Sequence, residues 1–254
     1  MFIIAGPCVV ESKEMLRQIA GHVKEICVKL DVEYIFKASY RKANRSSISS
    51  FTGIGDEKAL NYLAEIGQEF DLPVITDIHF PGEAALAAQY VDMLQIPAFL
   101  SRQTDLLLAA GKTGKTVNIK KGQFLAPDDM KKAADKVEST GNKKIWLTER
   151  GTAFGYHDLI VDFRSLMIMK ELGYPVVFDA THSLQKPSVG VQSGGAPEYI
   201  PALARAAAAV GIDGLFMETH PDPANAKSDA ATQMALEDTE KFIKDIVAID
   251  RLLK

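Results

Sequence analysis

The sequence predicts a (β/α)8 TIM barrel formed as one domain over residues 1–254. Three observations carry that expectation. Short apolar or β-branched runs recur along the chain, each followed by a longer stretch with apolar residues at helical spacing. The runs are near-continuously apolar rather than alternating, as expected of parallel strands covered by helices. Eight strand–helix units alternate strictly, with no linker, internal repeat or low-complexity segment between halves, which favours a closed barrel over an open sheet.

The predicted strands are FIIAGPC (2–8), EYIFKASY (33–40), PVITDIH (73–79), MLQIPAF (93–99), TVNIKKG (116–122), KIWLTER (144–150), PVVFDATH (175–182) and GLFMETHP (214–221). Helical stretches fall between and after them at 14–30, 57–70, 82–89, 103–112, 128–139, 162–172, 198–210 and 235–253. The first shows the pattern, with Met15, Ile19, Val23, Ile26 and Leu30 on one face. Pro127-Asp128-Asp129 puts proline and acidic residues into a first turn, and Pro81-Gly82-Glu83 does much the same. Two connections exceed a simple turn, 41–55 after the second strand and 183–195 after the seventh. In a barrel both lie on the face where active sites are built.

Composition narrows the function classes. With 33 acidic against 29 basic residues and no basic block, neither nucleic acid nor an anionic membrane surface has compositional support as a partner. Two cysteines are not a disulfide framework. With no basic leader and no long apolar span, the expectation is a cytoplasmic protein.

The chemistry gathers at the strand ends. In order they carry Cys8; Lys37 and Ser39; Asp77 and His79; Gln95; Lys120 and Lys121; Glu149 and Arg150; Asp179 and His182; Glu218 and His220. Desolvated charges cost free energy unless they meet each other or a ligand, so a barrel built only for stability has no need of this ring. A cationic subset, Lys37, Lys42, Arg45, Arg102, Lys120 and Arg150, suits a strongly anionic substrate. KANRSS (42–47) supplies a lysine, an arginine, an amide and two hydroxyls, a composition that fits a phosphate clamp or an ordinary solvated loop. A second subset, Cys8, His182, Glu218 and Asp229, offers thiolate, imidazole and carboxylates suited to zinc, ferrous iron or manganese. These four show no local ligand spacing, and only the barrel would bring them together. On residue chemistry alone Cys8 also reads as a small buried hydrophobe. Cys27, beside Ile26 on the first helix, reads as packing, and Trp146 as core. His22 and His157 read as surface or structural residues.

Taken together, FKASYRKANRSSISSFTGIG, ITDIH, QIPAFLSRQTDL, NIKKGQFLAP, LTERGTAFGY, FDATHSLQ, QSGG and METHPDPANAKSDA resemble the 3-deoxy-D-manno-octulosonate 8-phosphate synthases, in the same order and over essentially the whole chain. That resemblance implies condensation of phosphoenolpyruvate with D-arabinose 5-phosphate and water, with release of phosphate, by a homotetrameric barrel. It implies phosphoenolpyruvate ligands at Lys37, Lys42, Lys120 and Arg150, and a sugar-phosphate clamp at Asn44, Arg45 and Ser46. Arg102 is implied to reach that phosphate from a neighbouring subunit, and Asp77, His79, Gln95 and Phe99 to line the pocket between substrates. Gly6-Pro7-Cys8 matches the metal-dependent class of these synthases, where the metal-independent class has asparagine at the cysteine position. The implied ligands of a divalent ion are therefore Cys8, His182, Glu218 and Asp229. The residues expected to carry the chemistry are Lys42, Asp77, His79, Lys120, Arg150, His182 and Asp229, with the proton relay left open between the last two.

Two positions and the long loop KPSVGVQSGG (186–195) depart from the usual pattern. Where SFDKANRSSIHS is common, this chain reads SYRKANRSSISS, with Arg41 at an acidic position and Ser49 at a histidine. Three rival readings stand beside the main one. They are the related aromatic-pathway synthase acting on erythrose 4-phosphate, a metal-dependent lyase on the same barrel, and a non-catalytic barrel that binds sugar phosphates. KANRS in place of a KPRTS-like segment separates this chain from the first rival.

Overall fold

Eight strands form where the apolar runs lie, in a computed structural model that describes residues 1–43, 45, 47–186 and 194–254. They are β1 (Phe2–Gly6), β2 (Glu33–Lys37), β3 (Val74–Asp77), β4 (Met93–Ile96), β5 (Thr116–Lys120), β6 (Ile145–Glu149), β7 (Val176–Asp179) and β8 (Gly214–His220). Each pairs in parallel with the next, and β8 pairs back onto β1 from Phe2↔Gly214 to Gly6↔Glu218. The sheet is therefore a closed (β/α)8 barrel without a free edge.

Helices α1 (Lys13–Lys29), α2 (Asp56–Phe70), α3 (Ala84–Ala87), α4 (Thr104–Lys112), α5 (Met130–Glu138), α6 (Arg164–Glu171), α7 (Ile200–Val210) and α8 (Thr239–Leu252) follow the strands in turn. The apolar face predicted for the first helix is the one that packs: Ile19, Val23 and Ile26 are buried. Ser12 caps that helix by accepting the Met15 N–H at 3.1 Å, a bond worth about 1 kcal/mol.

All eight strands end one to three residues earlier than the sequence expectation, two of them with a local cause, and the third helix differs as well. The first strand stops at Gly6, because Pro7 cannot extend the ladder and Cys8 falls in the bend that follows. The fourth stops at Ile96 before Pro97, which begins a separate turn over Ala98–Leu100. The third helix is a single turn of α-helix after a 3-10 turn at Pro81–Glu83. Three small pairings were not anticipated. Thr152–Ala153 pairs with Leu159–Ile160, and Gln185–Lys186 with Gly194–Gly195, both antiparallel, while Met234–Ala235 lies parallel to β8.

The barrel interior explains why the polar residues sit where they do. Ile4, Ile35, Ile75, Val177 and Phe216 form a fully buried cluster inside the barrel, with Phe2, Met93 and Trp146 packed against it. Phe2 and Trp146 stack at 4.5 Å between ring centroids. Side chains on a strand repeat every two residues, so the next inward position after each interior residue lies nearer the carboxyl end. Two residues on from Ile35, Ile75, Met93, Val177 and Phe216 stand Lys37, Asp77, Gln95, Asp179 and Glu218. The apolar layer thus becomes the floor of a polar one. Gly6 has a matching role: a Cβ there would lie 1.9 Å from the Lys37 carbonyl oxygen, so only glycine lets β1 end against β2 at this level.

Candidate active site

The strand-end residues converge. Lys37 ends β2 with its ammonium buried, donating to Glu218 Oε1 at 3.1 Å, Ser39 Oγ at 3.2 Å and the Cys8 carbonyl at 3.4 Å. Lys120 ends β5 and meets Asp179 Oδ2 at 2.6 Å. Its Nζ also lies 3.7 Å from the centroid of the Phe216 ring, and that of Lys37 lies 5.5 Å away. Phe216 is thus the aromatic floor beneath both cations, a favourable contact for a desolvated ammonium. Burial lowers the Lys120 pKa below the usual lysine range, although Asp179 opposes the shift.

Arg150 is the most exacting of the cations. Its Nη2 donates to the His182 carbonyl at 2.6 Å and to Gln185 Oε1 at 3.1 Å, while Nη1 is buried without a partner. Among the described residues it makes no ion pair, and burial lowers its pKa. The turn that aims it is set by Glu149, whose Oε1 accepts the N–H groups of Arg150 at 2.9 Å and Gly151 at 2.6 Å. Gly151 adopts φ +91°, which glycine alone reaches without strain. Lys121, fully buried, backs this turn at 3.5 Å from Glu149 Oε1.

Three of the four candidate ligands meet, from the bend after β1, the end of β8 and the segment after it, and the fourth, His182 after β7, reaches the two carboxylates. Cys8, Glu218 and Asp229 offer donor atoms all within 4.8 Å of one another. The Cys8 thiol donates to Asp229 Oδ2 at 3.1 Å, and Asp229 itself stands at φ +47°, a left-handed conformation that aspartate tolerates. His182 approaches from the carboxylate side, its Nε2 3.5 Å from Glu218 Oε1 and 4.0 Å from Asp229 Oδ2. Its Nδ1 lies 3.0 Å from Asp179 Oδ1, and that anionic acceptor fixes the proton on Nδ1 and turns the Nε2 lone pair toward the cluster.

The donor set fits a divalent ion. Ligands about 2.0–2.3 Å from a tetrahedral metal stand roughly 3–4 Å apart, the scale of the Cys8–Asp229, His182–Glu218 and His182–Asp229 separations. Glu218 Oε2 is buried and has no hydrogen-bond partner. Burial pushes the Cys8 thiol well above its ordinary range, and Asp229 and Glu218 add to the rise. Burial alone would raise Glu218 too, but His182, Lys37 and Lys42 outweigh it and bring the carboxyl down to about 2. A cation among these donors would stabilise both the thiolate and the carboxylates.

On the opposite side of the site, Asp77 Oδ2 and His79 Nε2 are 3.0 Å apart. Burial would raise the Asp77 pKa, yet His79, Lys37 and Lys42 hold it well below the carboxylate range. Lys42 Nζ stands 3.9 Å from Asp229 Oδ2. Burial opposes the Lys42 charge, but Cys8, Glu218, Asp229 and Asp77 raise its pKa well above the usual value. Gln95 accepts from Asn118 Nδ2 at 3.2 Å, and Asn118 accepts from Thr148 at 2.6 Å, so a polar ladder crosses the barrel above the apolar floor.

Other expected residues stand apart. Arg45 donates to the Ser50 carbonyl at 3.0 Å within its own connection, with its Nε buried and unpartnered. Asn44 and Ser46 lie outside the described residues, as does 187–193 of the long connection after β7. Arg102 is exposed, and Phe99, on the turn after β4, is 54% exposed.

Several contributors carry no sequence signal of their own. Gln233, buried after β8, accepts the Cys8 N–H at 3.2 Å and donates to the Ser228 carbonyl at 2.8 Å, tying the first bend to the Asp229 segment. Glu11 accepts the Lys227 N–H at 3.0 Å and faces His220 Nε2 at 3.6 Å, a second tie between the same two segments.

A closed barrel with buried lysines, an arginine and a thiol–imidazole–carboxylate cluster at its carboxyl-terminal rim defines a (β/α)8 enzyme of anionic substrates. The match to known proteins is more particular. The model of the DAHP synthetase I family covers residues 1–254, and the chain belongs to that family. It is 53% identical over 253 residues to the 2-dehydro-3-deoxyphosphooctonate aldolase of Fusobacterium nucleatum, covering 99% of this chain and 91% of that one. The protein of the same name from Syntrophotalea carbinolica is 54% identical over 253 residues, with 99% and 91% covered. That from Granulibacter bethesdensis is 53% identical over 253 residues, with 99% and 90% covered.

Proposed function

We propose that the protein condenses phosphoenolpyruvate with D-arabinose 5-phosphate and water to 3-deoxy-D-manno-octulosonate 8-phosphate and phosphate, supplying lipopolysaccharide synthesis in the cytoplasm. The carrying observation is Arg150, a buried guanidinium with one nitrogen unpartnered, at the same barrel rim as the buried Lys37 and Lys120. Leaving such a group desolvated is costly, and a dianion that fills the space offsets the cost.

In the reaction, C3 of phosphoenolpyruvate bonds to the sugar's aldehyde carbon, whose oxygen takes a proton. Water adds its oxygen at C2 and gives up a proton, so a hemiketal phosphate forms. Cleavage of the C2–O bond to phosphorus then leaves the ketone, and the departing phosphate takes the hydroxyl proton. Lys37, Lys42, Lys120 and Arg150 bind the carboxylate and phosphate of phosphoenolpyruvate, and Asn44, Arg45 and Ser46 bind the sugar phosphate. Asp77, His79 and Gln95 stand between. Holding two anions face to face contributes up to about 7–11 kcal/mol where orientation is near ideal. Cys8, His182, Glu218 and Asp229 would hold a divalent ion (zinc, iron or manganese). Such an ion supplies polarisation and orientation of an oxygen ligand when bound.

We assign Phe99 to the pocket between the substrates, and Arg102 to a neighbouring subunit's site in a homotetramer. Supporting this, Phe99, Phe124, Phe154 and Tyr156 are exposed large side chains on successive connections after β4, β5 and β6, a patch suited to subunit contact. Ala153 donates to the Gln123 carbonyl at 2.9 Å, which keeps two of these connections together.

Phosphate release in the presence of phosphoenolpyruvate, with arabinose 5-phosphate or erythrose 4-phosphate as second substrate, tests the reading. Turnover with the five-carbon sugar is expected. Preference for the four-carbon sugar would assign the aromatic-pathway reaction instead, and binding of either without phosphate release would leave a sugar-phosphate-binding barrel.

A further inference from the structure

Arg41 and Glu83 have no part in the reaction above, yet they stand behind residues that do. Glu83 closes the 3-10 turn after β3. Its Oε2 accepts the His79 backbone N–H at 2.7 Å and lies 3.5 Å from His79 Nδ1. Its Oε1 is held by Arg41 Nη2. The other arm of the same guanidinium donates to Asp56 Oδ2 at 2.9 Å, at the start of α2. One side chain therefore ties the connection after β2 both to the helix it leads into and to the turn after β3. A lysine would present a single point charge here, whereas the guanidinium fork meets two carboxylates at once. Arg41 and Glu83 are 29% and 15% exposed, so the pair is more sheltered than an ordinary surface ion pair.

The consequence falls on His79. Its Nε2 faces Asp77, while its Nδ1 and Asp77 Oδ1 are both buried and without hydrogen-bond partners. His79 Nδ1 faces Glu83 Oε2 at 3.5 Å, so the open atom of the pair is Asp77 Oδ1, where a polar ligand is expected. The orientation of the ring against Asp77 depends on the His79 backbone, and that backbone is held by Glu83. Arg41 in turn holds Glu83, and it immediately precedes Lys42, whose N–H donates to the Thr52 carbonyl at 2.8 Å and closes the base of the same connection.

We propose that Arg41 is a positioning residue: acting through Glu83, it fixes His79 against Asp77 and anchors the connection that carries the sugar-phosphate clamp. The kinetic part of this proposal rests on the condensation assigned above.

The test compares Arg41→Ala, Arg41→Lys, Glu83→Gln and the Arg41→Ala/Glu83→Gln double variant by steady-state kinetics with each substrate varied. Nitrogen-resolved magnetic resonance of the His79 ring is recorded alongside. Arg41→Ala is expected to lower kcat between about 10- and 100-fold, the scale of a misplacement near 1 Å. Arg41→Lys should recover part of the loss, and the double variant should be no slower than the worse single, because both act along one chain. The His79 ring resonances should shift in Arg41→Ala and Glu83→Gln alike. Multiplying effects in the double variant would overturn the proposal. So would a lowered Tm with unchanged kinetic constants and ring resonances. If the unmodified protein releases no phosphate from the two substrates, the assigned reaction fails; the ring resonances then still decide the positioning, and an unshifted ring in both variants overturns it.

Discussion

Both oxygens of Asp179 face His182 Nδ1, Oδ1 at 3.0 Å and Oδ2 at 2.9 Å, and Oδ2 also holds Lys120 Nζ at 2.6 Å. One fully buried carboxylate thus serves both halves of the site. It orients the imidazole toward the candidate ligand cluster and keeps a lysine in place over Phe216. Burial would raise its pKa, but His182 and Lys120 hold it well below the carboxylate range, so it is an acceptor on both sides at neutral pH.

Asp179→Asn should therefore cost metal affinity as well as rate. Outer partners of ligating histidines are typically worth about 10- to 100-fold in affinity. Titration with zinc, followed by calorimetry on metal-free protein, is expected to show a loss of that size. Unchanged affinity would remove Asp179 from its orienting role.

Cys8→Asn should abolish tight binding of divalent ions and leave any residual turnover indifferent to chelators. In the unmodified protein, a strong chelator is expected to remove activity and added divalent ion to restore it. Elemental analysis gives the metal content, and full turnover after verified removal would sink the ligand assignment.

Arg150→Lys keeps the charge and loses the fork. A charge-assisted hydrogen bond contributes about 1.5–3 kcal/mol, so phosphoenolpyruvate should bind roughly 10- to 150-fold more weakly. Arabinose 5-phosphate should bind as before. Calorimetric titration with each substrate reads the two effects separately, and equal weakening of both would argue against a phosphoenolpyruvate ligand.

The depressed Asp77 pKa predicts a particular acid limb. Its folded pKa lies below the unfolded value of about 3.9, so its contribution to stability is complete above that value and is lost as pH falls through the folded pKa. Denaturant unfolding followed from pH 7 downward should show the Asp77 contribution declining below about pH 4, and Asp77→Asn should flatten that decline. Parallel curves for the two proteins would show that Asp77 does not contribute.

Much of this arrangement was legible in the sequence, for a physical reason. Parallel strands covered on both sides are apolar throughout, so a lysine, aspartate or glutamate at the end of such a run, as at Lys37, Asp77, Asp179 and Glu218, stands out and falls on the inward period. Pro7 and Pro97 moved two strand ends inward by breaking the ladder, which the apolar runs alone did not mark. Phe216 reads as one more core aromatic until its place beneath Lys37 and Lys120 is seen. Gln233 and Glu83 have ordinary loop and turn identities, and their importance comes from what lies across the barrel rim. The Gln95–Asn118–Thr148 ladder joins three strands, and no local spacing encodes it.

The most direct test of the central claim is phosphate release measured with phosphoenolpyruvate alone, with arabinose 5-phosphate alone, and with both together. Release of one phosphate per octulosonate 8-phosphate formed, only when both are present, is the predicted result. Phosphate release from phosphoenolpyruvate alone at the same rate, or none with both substrates and divalent ion supplied, would contradict it.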